Sequence, residues 1–397
     1  MSDPDENAFA GLPFFGDMMK AFSSQGPLQW DVARQVAMTT ALDGQTVEGN
    51  VDPADRIALE KLAPIAQLHV ETHTGLSTTP TDVPRTLLVV NKSTWCHLTL
   101  EAYKPLFTTL ASSLSSKDVA ASEPSDPELD AEHSMASMMS GLSKMLAPAM
   151  MGMSVGSMVG NMSQHAFGQY DIPLPREPIH QMLLVPSNIN SFASDWSIPI
   201  DDVRMWVLIQ ELTAHAVLGV DHVRETISDA VRRYVAGFRP NPTALLDRMT
   251  EIEVTGSDPM AMLQKFLTDP GLILGAVRSK EQEALSPSLD AMVAAIIGYI
   301  DHSVDAVSSR LLGGGSQIAE AVRRRRVEST ANDVFLEQLL GLRLTRQQLE
   351  RGRLFIDGVV ERAGSEGVGQ LFNAAGHLPT PNELDAPGLW LARLEIQ

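Results

Sequence analysis

The sequence predicts a mainly α protein with a few short β-strands. Apolar residues recur at helical spacing along most of the chain, and helix-start and helix-stop residues bracket those stretches. Only two short runs, residues 86–90 (TLLVV) and 182–185 (MLLV), have strand character.

The elements follow in chain order. Residues 7–24 are rich in Phe, Gly and Met and are expected to lie as an arm over the body. Residues 30–38 carry a helical pattern with Trp30, Val32, Ala33, Val36 and Ala37 apolar. A stronger helix is predicted over 52–72. Asp52-Pro53 supplies an N-cap and a first-turn proline, and Ile57, Leu59, Leu62, Ile65, Ala66 and Leu68 are expected to form its apolar face. The first strand, 86–90, precedes a helical pattern over 93–114. Residues 115–133 are rich in Ser, Asp, Glu and Pro, which marks a flexible insert.

Residues 135–164 contain many methionines and a Gly152-x-x-x-Gly156-x-x-x-Gly160 ladder, with no charge after Lys144. Two readings fit this stretch. A membrane span fits its length and small-residue spacing. A buried helix whose glycines allow close packing fits the Pro148 interruption, the scattered Ser and Asn, and the lack of a basic flank or aromatic belt. The second strand, 182–185, leads to a helix opening at Pro199-Ile200-Asp201-Asp202, whose acids suit a helix N-terminus. Helix continues over 221–235 and breaks at Pro240 and Pro242. Further helices are predicted near 243–254, 259–267, 287–311, 316–328 and 345–363, with a last short one through Trp390 and Leu394. The aliphatic stretch 291–300 is too short to span a bilayer and reads as core. Residues 1–114 thus read as an N-terminal helical region, 115–134 as a flexible acidic Ser/Pro insert, and 135–397 as a helical core with a C-terminal region.

Composition narrows the function. At 397 residues, 44% hydrophobic and 20% charged, the chain is globular. A net charge of -19 argues against a nucleic-acid or anionic-membrane partner. A single cysteine, Cys96, excludes an internal disulfide and a cysteine-based zinc site, and favours the cytoplasm. The N-terminus shows no secretory pattern. No G-x-S-x-G, P-loop or dinucleotide fingerprint occurs, and Gly313-Gly314-Gly315 lacks the G-K-[ST] of a phosphate cradle.

One segment carries most of the functional weight. Gln210-Glu211-Leu212-Thr213-Ala214-His215 is a near miss to H-E-x-x-H, in which two His one turn apart hold zinc and the Glu activates water. The helical pattern puts Val203, Trp206, Val207, Gln210, Ala214 and Val217 on one buried stripe. Glu211 lies about 100° round the helix from Gln210, with His215 one turn beyond Glu211, so His215 does not fill the vacancy at Ala214. A Gln carbonyl is a weak zinc ligand and an Ala methyl offers nothing.

Many short blocks here resemble, in order, a known family. They include Gly26-Pro27-Leu28-Gln29-Trp30-Asp31, Leu68-His69-Val70-Glu71-Thr72-His73, Gly168-Gln169-Tyr170-Asp171-Ile172-Pro173, Val185-Pro186-Ser187-Asn188, Arg323–Arg326, residues 348–363 and Leu378-Pro379-Thr380. The chain resembles the bacterial zincin-like hydrolases, also labelled zinc-dependent metalloproteases, with a sister group associated with deazaflavin coenzyme biosynthesis. The likeness runs from about residue 7 to 394. It implies a zincin-like helical fold and a W-V-x-x-H-E-x-x-H helix, here reduced to Trp206, Val207 and Glu211. It also implies a second stretch, E-G-H then M-D, which aligns with Ile297-Gly298-Tyr299 and Val304-Asp305 and keeps only Gly298 and Asp305. Gln210, Ala214, Ile297 and Tyr299 therefore mark degenerate ligand positions, and Glu211 a retained general-base position.

Each candidate has a plainer reading beside it. Glu211 reads more simply as a salt-bridged or solvated helix glutamate, or as the partner of His215. His215, His222, His302 and Asp305, with Asp301, offer a relocated metal site, against ordinary polar helix edges. Tyr299 reads as a buried, hydrogen-bonded tyrosine. His69 and His73 read as polar surface or capping residues, and Arg323–Arg326 as partners of neighbouring carboxylates. The leading expectation is a zincin-like protein without its metal centre, binding no cofactor and acting as a binding or structural protein toward a protein, a peptide or a second copy of itself. The alternatives are a zinc-dependent metallohydrolase using atypical ligands around Glu211, and a membrane-associated protein anchored through 135–164, although membrane association is not expected.

Overall fold

The computed structural model describes residues 26–79, 83–115, 130–238, 279–327, 339–342 and 344–396. Thirteen helices of these residues are named here: α1 Trp30–Ala41, α2 Pro53–Thr74, α3 Lys92–Ala102, α4 Lys104–Ser115, α5 Asp130–Ser163, α6 Pro186–Asp195, α7 Ile200–Gly219, α8 Asp221–Ala236, α9 Lys280–Leu311, α10 Gly315–Val327, α11 Arg346–Val368, α12 Pro381–Asp385 and α13 Pro387–Ile396. Two strands, β1 Thr86–Val89 and β2 Gln181–Leu184, pair in parallel with Leu87 opposite Met182. The mainly α expectation holds.

Local chemistry sets the helix ends. Asp52 accepts from the Ala54 N–H at 2.8 Å, Pro53 occupies the first turn, and Gly75 closes α2 in the left-handed region at φ 69°. Asn91 caps α3 through the Thr94 N–H. Ser279 and Gln282 form a reciprocal capping box that starts α9, and Thr380 and Glu383 form another at α12. These ends leave few unsatisfied backbone groups, so the helices enter the core at defined points.

Glycine permits two close helix–helix approaches. A Cβ on Gly156 would lie 2.4 Å from the Ala33 carbonyl oxygen, and one on Gly152 would lie 2.6 Å from that of Gln29, so the 152–156–160 ladder is the seam where α5 meets α1. The helix continues through Pro148, whose carbonyl accepts the Gln29 N–H at 3.0 Å. The buried reading of this stretch fits that packing. At a second seam, a Cβ on Gly352 would lie 2.0 Å from the Ala294 oxygen, and one on Gly298 2.5 Å from Gly352, which locks α9 to α11.

Helix α7 occupies the centre, packed against α2, α6, α8, α9 and α10. This overturns the one-sided stripe predicted for it. Every residue from Met205 to Gly219 is buried, because neighbouring elements cover all of its faces. Three other expectations change. The 93–114 pattern is two helices that meet at Tyr103. On α2 the buried face is Leu59, Ala63, Ala66 and Val70, while Ile57, Ile65 and Leu68 are exposed, because the small alanines give the closer approach to α7. Helix α9 starts at Lys280 rather than 287. By length and composition it could cross a membrane, but most of its apolar window is buried in the protein. The predicted arm at 7–24 and the helices at 243–254 and 259–267 lie outside the described residues, as does most of the predicted insert at 115–133.

The glycine seams yield a stability prediction. Gly352→Ala and Gly156→Ala drive a methyl into backbone that cannot rotate away, so each lowers stability by about 2–3 kcal/mol or more in urea titration, the upper range for overpacking. Gly49→Ala, with nothing within 4 Å of its Cβ position, leaves the midpoint unchanged.

Candidate functional site

The site is built where α7 meets the segment that follows α5. The strand β2 pairs with β1 along one edge. Its end holds residues 167–168 along the other, through an antiparallel bridge between Gly168 and Leu184 and a 2.9 Å bond from Val185 N–H to the Phe167 carbonyl. Asp171 tightens the turn by accepting from the N–H groups of Phe167 and Gly168 at 2.8 and 3.1 Å. Trp95 from α3 donates its indole N–H to the Gly168 carbonyl at 2.7 Å. The segment 167–171 is thereby laid across α7.

Glu211 receives it. The side chain is 1% exposed, and Oε2 accepts from the backbone N–H groups of Gln169 and Tyr170 at 2.7 and 3.0 Å. Gly168 is required at this crossing, since a Cβ there would lie 2.5 Å from the carboxyl carbon of Glu211. Glu211 is therefore neither solvated nor the partner of His215. It is a buried carboxylate that anchors a loop, because hydrogen bonds to backbone N–H groups offset the cost of removing the charge from water.

His215 lies one turn on. Its Nδ1 is 2.8 Å from the Tyr170 hydroxyl, and the two rings meet edge-on with centroids 5.9 Å apart. Burial, with a smaller push from the positive charge of Arg85, lowers its pKa to about 4, so the ring is neutral at pH 7. Its Nε2 is buried and has no hydrogen-bond partner among the described residues. Burial, followed by the field of Glu211, drives the Tyr170 hydroxyl well above the usual tyrosine range, which keeps it protonated. Arg176 is 6% exposed and adds a cation to the same interior, bonded through Nη1 to Thr99 Oγ1 at 3.0 Å.

The four positions that the resemblance marks as degenerate ligands are all interior: Gln210 is 8% exposed, Ala214 3%, Ile297 8% and Tyr299 5%. Gln210 Oε1 is buried without a partner among the described residues. Tyr299 packs edge-on against Phe372 with centroids 4.6 Å apart. Helix α9 packs on α7. The relocated-site residues are dispersed in their bonding. His215 engages Tyr170 and Asp305 pairs with Arg323, while His222 is half-buried near the start of α8. Burial and neighbouring Asp301 raise the Asp305 pKa against the pull of Arg323. His302 lies within electrostatic reach of His73 and Asp305, and burial, then Arg310 and His302, lower the His73 pKa. His69 is half-buried on α2. Among the described residues, no three His, Cys, Asp or Glu side chains converge to hold a metal ion.

The zinc that the resemblance implies does not fit the residues present. Zinc needs three or four N, S or O donors around one point. The two helix positions that would supply imidazoles carry an amide and a methyl, Glu211 Oε2 is held by two backbone N–H groups, and His215 offers one nitrogen. Of the arginine run, Arg323 and Arg324 pair with Asp305 and Glu320, as expected. Arg325 instead stacks over Phe167 at 4.0 Å and donates to the His165 carbonyl, tying α10 to the same loop. Sequence reasoning missed Gln169, Tyr170, Arg176 and Trp95 as parts of this site. The one local signal was Gly168 followed by Asp171, a turn signature, and nothing in it names Glu211 as its anchor.

Two outcomes follow. Glu211→Ala strands two buried N–H groups and costs about 3–5 kcal/mol in chemical denaturation, while Glu211→Gln, which keeps an acceptor, costs clearly less. His215 carries a pH effect whose sign is set by its lowered pKa. The unfolded chain binds the proton first, so stability falls as pH drops from about 6.5 to about 4, by about 3 kcal/mol in all. Subtracting the pH–stability curve of His215→Gln from that of the wild type isolates this loss.

A family model described as zincin-like metallopeptidase matches residues 28–391. The structure is also similar to a crystal structure of a "putative hydrolase with a novel fold" from Chloroflexus aurantiacus, with a TM-score of 0.63 and 21% identity over 93% of this chain and 99% of that one. No curated protein matches. The helical fold built round α7, with a family match spanning nearly its whole length, leads to one assignment: this chain belongs to the zincin-like metallopeptidase family.

Proposed function

We propose that this chain is a zincin-like family member that has lost its zinc centre and acts as a non-catalytic binding or structural protein. The observation that carries the reading is the use made of Glu211. A general base needs a free carboxylate oxygen next to an activated water. Here Oε2 accepts from the Gln169 and Tyr170 N–H groups inside the core, and the flanking positions, Gln210 and Ala214, are a weak ligand and a non-ligand. The chemistry of the motif has been replaced by a structural bond made by the same residue. A net charge of -19 favours a protein, a peptide or a second copy of this chain over nucleic acid as partner. A lone, buried, free cysteine suits the cytoplasm.

A second reading draws on one observation. His215 Nε2 is a neutral, buried imidazole nitrogen without a partner among the described residues, one turn from Glu211, and it suits a zinc-dependent metallohydrolase or peptidase with atypical ligands. Metal content separates the two. After equilibration with zinc and dialysis, the purified protein is expected to retain far less than one zinc per chain by atomic emission. One tightly held zinc per chain that disappears in His215→Ala would instead establish the metalloenzyme.

A further inference from the structure

Behind the loop that Glu211 holds lies a cleft of about 170 Å³ that neither the degenerate motif nor the family match assigns. Gln169 forms part of its wall, and its backbone N–H is one of the two bound by Glu211. Leu98, Ala102 and Leu183 give the cleft an apolar body. Arg176 supplies a cation at its wall.

Arg176 is the informative residue. Its side chain is almost wholly buried, yet among the described residues its hydrogen bonding is limited to Nη1 on Thr99 Oγ1. The Tyr103 ring, 6.0 Å away, covers one side of the guanidinium. The remaining donors, Nε–H and the Nη2 edge, form the fork that matches a carboxylate. Its donors that make no hydrogen bond are not closed off inside the protein, and its charge is favoured by Glu211, so the fork is open to an acceptor that enters the cleft. Gln169 adds a second polar side chain to the wall, 2% exposed and set against Tyr170. Two acidic residues also line the cleft. Glu101 is tied to Arg34 and Lys104, and Glu177 is exposed. Their charge opposes a ligand with more than one negative charge.

We propose that this cleft binds a small monocarboxylate with an apolar body, its carboxylate on the Arg176 fork and its aliphatic part against Leu98, Ala102 and Leu183. The volume lies below the range of drug-sized sites, which limits the ligand to a short chain. The rim glutamates select against phosphate and dicarboxylates. The site gives the binding role proposed above a ligand class and rests on that reading for its non-catalytic character. The two remain separable, since metal content decides one and carboxylate binding the other.

The test titrates the full-length protein with 3-methylbutanoate, with the neutral isostere 3-methylbutanamide, and with inorganic phosphate, by calorimetry and saturation-transfer NMR. The expected result is saturable binding of the carboxylate with a dissociation constant of about 1 mM or tighter, an amide at least about tenfold weaker, and no phosphate binding. Arg176→Gln is expected to abolish carboxylate binding. Because loss of a buried charge can also unfold the chain, Ala102→Trp provides the second variant. It fills the cleft from the end of α3, and is expected to abolish binding with an unchanged melting temperature. No saturable carboxylate binding, equal affinity for the amide, tighter binding of phosphate, or full binding by Ala102→Trp would each overturn the proposal.

Discussion

The carboxylate of Glu211, bound to the N–H groups of Gln169 and Tyr170, is the constraint on which the centre of this protein depends. A charge buried at the middle of a helix is tolerated only when the groups around it are fixed donors. That requirement runs outward through the structure. It demands glycine at 168, it places the loop where Asp171 and Trp95 can hold it from either side, and it keeps the loop on the free edge of β2. The loop in turn carries Tyr170 to His215 and Gln169 to the neighbouring cleft. Arg325 stacks on Phe167 from α10 and joins that helix to the same unit.

This arrangement gives one residue two possible histories of use. In a zinc protease motif the glutamate stays reachable from a metal-bound water, flanked by imidazoles. Here the flanking positions are core, and the glutamate is spent on backbone. His215, one turn along, is neutral because it is buried, and its one hydrogen bond goes to a tyrosine. The fold is held by contacts among its own elements. Its helices are joined by glycine seams, caps and a continuous apolar core from Leu28 to Trp390.

Legibility varied from residue to residue for physical reasons. The Asp52-Pro53 start of α2 was readable because a cap is a local event within one turn. The strands 86–90 and 182–185 were readable as short apolar runs, but their parallel pairing across almost a hundred residues was not. The α2 face was misread because periodicity ranks side chains by hydrophobicity, while packing chose the small alanines that allow close approach to α7. The stripe on α7 was misread because a helix apolar nearly all round has no preferred face to reveal.

The sequence by itself determined the mainly α class, the family, and the helical offset of His215 from Ala214, since each depends on residue identity and helical spacing alone. Only the tertiary structure decided what Glu211 does. Its partners are backbone N–H groups contributed by a loop some forty residues away, and backbone carries no side-chain signature that a sequence can display. The same holds for Arg176. Its identity announces a cation, but only packing against Thr99 and Tyr103 makes it a buried one with donors to spare.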